Sequence, residues 1–189
     1  MTRRPFLALL DPVPAAFLSA FLAAAQVLPA QPLRTLTPGR FERSPLFREW
    51  QLARKQQLRD PVQPDSRATY YTFQPSPNFH DGLSVALRQR GTKHNATFET
   101  THLVVYWKQE EDAGQALAGK RRAQVHRILE TLELAGSEDR VVDALVGIAR
   151  TRMDARAEVE VPAPHELTVF HNLKHGALGF EVRNQGEQP

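Results

Sequence analysis

The chain contains no cysteine at all among its 189 residues, so disulfides, thiolate zinc sites, iron–sulfur clusters and cysteine nucleophiles are excluded by chemistry alone. Several other signatures are also missing. There is no nucleophile-elbow glycine pattern, no phosphate-cradling loop, no HExxH helix, no paired-carboxylate spacing and no internal repeat. Net charge is slight, +3, but unevenly spread. Residues 1–67 hold ten Lys/Arg against five Asp/Glu, whereas residues 137–189 hold six against nine, which implies a polarised surface.

The length suits one ordinary domain with an extension. Near the start, Arg3 and Arg4 precede an apolar stretch from Phe6 to Leu28, interrupted by Asp11, Pro12 and Pro14. Spanning a membrane takes roughly 20 predominantly apolar residues, so no membrane association is expected. Asp11-Pro12 instead opens an amphipathic helix, with Phe17, Phe21 and Leu28 along one stripe and Leu18 and Leu22 beside it. Pro29 and Pro32 end it.

Residues 31–45 contain three prolines, with Leu33, Leu36 and Phe41 scattered among Arg34, Arg40 and Arg43. The pattern predicts an extended arm whose large apolar side chains, with these arginines, lie along a partner. Ser44-Pro45 predicts a second helix to about residue 58, with Leu46, Phe47 and Trp50 inward.

The period then changes to two. Strands are expected at 69–74, 83–87 and 95–108, the last central because both its faces are apolar near its end, with Phe98, Val104 and Tyr106 sharing one face. A helix follows from Asp112 to about residue 135, with Lys120, Arg121 and Arg122 on its outer surface, and another from Ser137 to about residue 152; the short join predicts a helical hairpin. Strands at 157–161, 166–170 and 177–183 close the domain, the last two joined by a turn ending at Gly176. The expected fold is therefore α+β: a mixed or antiparallel sheet packed against a helical hairpin, with a helical and extended proline-rich N-terminal arm. Its divisions are an arm over 1–67, a domain over 68–184 and a polar tail over 185–189.

Three constellations carry candidate chemistry. His165, His171 and His175 invite a metal, but in a hairpin their spacing does not align them as a helix would, and solvated turn histidines are the preferred reading. His102 as general base, oriented by Asp81 with Ser84 as nucleophile, is the hydrolytic grouping the sequence offers, near His80 and His94. Tyr70, Arg88, Arg90 and Lys93, beside Tyr71 and Phe73, suit stacking of bases with cations on phosphate, but a basic hairpin edge with buried tyrosines is the preferred reading. No catalytic residue, cofactor or metal is assigned.

Residues 94–184 resemble tail-terminator and neck proteins of tailed bacteriophages. The resemblance lies in the strand from His102 through Leu103, Val104, Val105 and Tyr106 to Trp107, the acidic turn, the long helix through Glu133 and the closing strands at 167–170 and 178–183. It implies a non-enzymatic α+β subunit of a virion, assembled in the host bacterial cytoplasm. It also implies a homo-oligomeric ring at the head–tail junction that contacts other virion proteins. The N-terminal 67 residues exceed what such a subunit needs, and two helices follow the long strand where one often suffices. The alternative function is a nucleic-acid-binding module using the basic N-terminal third and residues 70–93.

Overall fold

A computed structural model describes residues 32–59, 63, 65–74, 82–91, 97–108, 119–151 and 153–186. The expected helix over 11–28 lies outside the described residues, as do Lys93, His80, Asp81, His94 and the 109–118 stretch. After a 3₁₀ turn at Leu33–Thr35 come two single-turn helices, α1 (Pro38–Phe41) and α2 (Leu46–Glu49). Four strands follow: β1 (Gln51–Arg59), β2 (Ser66–Gln74), β3 (Leu83–Gly91) and β4 (Phe98–Lys108). Helices α3 (Lys120–Thr131) and α4 (Glu138–Ala149) lead to β5 (Ala155–Val159), β6 (His165–Asn172) and β7 (Ala177–Asn184).

The seven strands of the described residues join one sheet in the order β1-β2-β3-β4-β7-β6-β5, with every pair antiparallel. This overturns the expected sheet packed against a helical hairpin: the fold is mostly antiparallel sheet, with few helices. Part of the reason lies at residues 51–59. These were expected to continue a helix, yet α2 stops at Glu49 and Trp50 turns extended (φ −124°, ψ 135°). Lys, Arg, Gln and Leu favour helix locally, but pairing with β2 along eight register positions outweighs that weak preference. β4 does sit centrally, between β3 and β7, and β6 pairs with β7 across the turn that ends at Gly176.

One face of the sheet is covered. Tyr71, Val85, Val105, Phe180 and Val169 form a cross-strand row on it, in the same core as Val125, Ile128 and Leu129 of α3 and Val141, Leu145 and Ile148 of α4. The indole N–H of buried Trp107 donates to Gln124 Oε1 at 2.7 Å, tying β4 to α3. Arg121, expected on the outer surface of α3, is buried. Arg122 is exposed and pairs with Glu138 and Asp139 in the first turn of α4, where carboxylates also meet the positive end of that helix.

The segment before β1 belongs to this core. Leu33, Leu36, Phe41 and Leu46 are fully buried or nearly so. Phe41, Phe47, Tyr71 and Phe73 meet with centroids 4.9–5.4 Å apart and mostly edge-to-face, the arrangement ring quadrupoles favour. The backbone is held as well: Leu33 N–H donates to Asn184 Oδ1 (2.8 Å), and Thr100 Oγ1 donates to the Leu36 carbonyl (2.5 Å).

Candidate interaction surfaces

The pleat that sends one set of side chains into the core sends the alternate set to the opposite, open face. Its central row runs Thr72, Ser84, Tyr106, Gly179, Phe170, Arg156. The next row runs Tyr70, Ala86, Val104, Glu181, Thr168, Glu158. Tyr70, Val104, Tyr106 and Phe170 are half-buried. The middle of this face is therefore aromatic and aliphatic. Toward β5 it becomes charged, with a shallow cleft of about 280 Å³ lined by Arg156, Ala157, Glu158, Thr168, Glu181 and Arg183. Within it Arg183 Nε contacts Glu166 Oε2 at 2.7 Å, whereas Arg156 and Glu158 are exposed with no ion pair among the described residues.

The sheet's two outer edges are β1 and β5. β1 carries Arg54, Lys55 and Arg59 without an acid, and its register slips between Leu52 and Arg54. Cations and bulges of this kind discourage further strand pairing. Among the described residues the exposed large apolar side chains are Leu52 (36%) and Leu58 (45%) on β1, Met153 (65%) before β5, and Leu173 (47%) after β6. Leu173 N–H donates to Asp154 Oδ1 at 2.7 Å, which holds it beside the start of β5. Leu52 and Leu58 thus lie on one edge strand and Met153 just before the other, with Leu173 beside it in the β6–β7 turn.

The residues expected to form a docking arm are divided by the structure. Leu33, Leu36 and Phe41 face inward, Arg34 and Arg43 are exposed, and Arg40 is half-buried with an N–H from its guanidinium on Thr35 Oγ1 (3.3 Å). The expected nucleic-acid contacts converge better. Tyr70 and Arg88 share the open face, Arg88 lying opposite Ala68, two residues from Tyr70. Arg90 is exposed and 3.7 Å from Asp65. Phe98, expected beside Val104, falls instead on the covered side, because a bulge opposite Arg88 and Gln89 shifts the phase; the Arg67 guanidinium stacks on its ring at 3.8 Å.

The hydrolytic grouping is not assembled. Ser84 faces Tyr106, four residues along β4 from His102, or about 13 Å at strand rise. His102 instead contacts Thr101 Oγ1 at 2.9 Å and lies 3.9 Å from Glu181. The expected solvated turn histidines need correction: His165 and His171 are buried on the covered face of β6, and His175 alone of the three is exposed. Their phase with Leu167 and Val169, every second residue, was the available signal. No group of three metal-ligating side chains occurs among the described residues.

One ionisable pair, buried Tyr71 with half-buried Glu42, shapes the β1 side of the core. Burial pushes the Tyr71 phenol well above its ordinary value of 10.0, and the neighbouring Glu42 carboxylate, which accepts its O–H at 2.8 Å, pushes the same way. Burial also pushes the Glu42 carboxyl up, but hydrogen bonds from Lys55 (2.6 Å) and Tyr71 outweigh it and leave the group below its usual 4.5. Compared with known protein families, curated proteins and solved structures, the chain matches none.

Proposed function

We propose that this chain is a structural subunit of a phage-like virion, at the head–tail neck or tail terminator, that assembles with copies of itself into an oligomeric ring and contacts other virion proteins. The observation supporting self-assembly is that, among the described residues, the exposed large apolar side chains Leu52, Leu58 and Met153 lie on or next to the two edge strands. An edge strand offers unpaired backbone N–H and C=O groups, and apolar side chains beside it add area that leaves water on pairing. The virion placement rests on the sequence resemblance over residues 94–184. Docking is assigned to the edges, because Leu33, Leu36 and Phe41 of the arm are spent on the chain's own core. Light scattering over a concentration series should give masses at multiples of 21.3 kDa. A single-chain mass at every concentration would sink the proposal.

A second reading, a nucleic-acid-binding module, is favoured by one observation: Tyr70 and Arg88 stand together on the open face, where a ring can stack and a guanidinium can meet phosphate. It requires binding that weakens steeply with salt and that falls at least roughly tenfold on Arg88→Glu. Salt-insensitive binding, or none to single- or double-stranded probes, removes this reading.

A further inference from the structure

We infer that β5 is the seam between two copies of this chain, paired antiparallel about Ala157 so that two seven-stranded sheets become one. Among the described residues β5 is bonded to β6 on one side only, leaving its outer backbone groups for a partner. In an antiparallel pair centred on Ala157, Arg156 stands directly opposite the partner's Glu158, and Glu158 opposite the partner's Arg156. Both residues belong to the open face, so the two ion pairs form side by side on that face. Each of these side chains is exposed and without an ion-pair partner in its own chain, among the described residues. On the covered side the same register sets Ala155 against the partner's Val159, two apolar residues, with small Ala157 at the axis.

Other registers do worse. Centring the pair on Val159 places Glu158 opposite the partner's Glu160, like against like. Centring it on Ala155 leaves a single residue of each strand paired. A one-residue slip turns one sheet over relative to the other. Self-pairing at β1 would bring together two strands that each carry Arg54, Lys55 and Arg59 without an acid. A contact that reuses the same patch on both copies joins them in pairs, so a ring of such pairs closes through a second, head-to-tail contact.

The inference rests on the self-assembly reading above, and two tests separate their failures. The first exchanges the charges. Arg156→Glu alone sets carboxylate against carboxylate and Glu158→Arg alone sets guanidinium against guanidinium; each should halve the mass seen by light scattering. The double exchange restores both pairs with reversed polarity and should restore the mass. Both positions are exposed, so far-UV circular dichroism should be the same in all four proteins. The second uses the absence of cysteine: Ala157→Cys introduces the chain's only thiol, opposite the partner's own substituted residue 157. Cα atoms directly opposite in antiparallel strands lie about 4.5–5.5 Å apart, within disulfide reach. Mild oxidation should give a covalent dimer much faster than Gln57→Cys on β1. A monomeric wild type overturns both the seam and the self-assembly reading. An oligomer whose mass neither single reversal changes, or which cross-links no faster at 157 than at 57, overturns the seam alone.

Discussion

Gly179 is where a single methyl group should do most harm. It lies in β7 opposite Tyr106 of β4, with the Phe170 ring over it. A Cβ built there would run into the Val105 carbonyl oxygen and stand 2.8 Å from Tyr106 Cα and 2.9 Å from Phe170 Cζ. The Phe170 ring can rotate away, but the other two neighbours are backbone of the central strand, fixed by β3 on its far side. Overpacking a well-packed site costs about 1–3 kcal/mol, and here the backbone itself must give, so Gly179→Ala should cost about 3 kcal/mol. At 2–4 °C per kcal/mol for a chain of this size, the melting temperature should fall by about 6–12 °C. Urea unfolding read by circular dichroism should show a lower midpoint with unchanged slope. Phe170→Ala in the same chain should rescue little, since it relieves one contact of three. Gly147 is the counter-case. It is exposed inside α4 with nothing within 4 Å of a Cβ, so Gly147→Ala should stabilise by about 0.5–1 kcal/mol. If the two glycine substitutions have the same sign, or Gly179→Ala costs under about 0.5 kcal/mol, the close approach of β7 to β4 described here is wrong.

Leu36→Ala should lower stability by about 2–4 kcal/mol in urea titrations while leaving the oligomer's mass unchanged, because Leu36 fills this chain's own core. A changed mass with unchanged stability would return the segment to the role of docking arm. Tyr71 predicts a loss of stability in alkali. Its phenol stays neutral in the fold but ionises near 10.0 once unfolded, so stability is complete below that value and falls above it by about 1.4 kcal/mol per pH unit. Tyr71→Phe should flatten that slope between pH 10 and 11 in paired unfolding curves. An undiminished slope would mean that Tyr71 is not the group responsible.

The sheet was readable wherever one face is wet and the other dry. β3, β4, β6 and β7 announce themselves through residues such as Leu83, Val85, Leu87 and Leu167, Val169, because burial imposes a two-residue period. β1 is exposed along almost its whole length, so burial writes no period into it, and its Lys, Arg and Gln residues read as helix. The segment before it misled for the opposite reason. Prolines at 32, 38 and 45 suggest a free arm, yet Leu33, Leu36 and Phe41 find the covered face through contacts with residues far along the chain, such as Asn184. Of the candidate surfaces, the joint placement of Tyr70 and Arg88 follows from strand phase. The edge positions of Leu58 and Met153 do not, since which strands lie outermost is decided by the β4–β7 pairing.

That pairing also has a consequence for synthesis. β7 is the last strand of the sheet in chain order, yet it occupies an interior place, between β4 and β6. Until residues 177–184 leave the ribosome, the β1–β4 meander has a bare flank at Val105 and Trp107, and β5 and β6 have nothing to join. The nascent chain can therefore build two partial sheets but cannot merge them. Closure waits on a contact between distant parts of the chain, the kind that folds slowly. In the interval, the bare β4 flank is what a chaperone would have to shield.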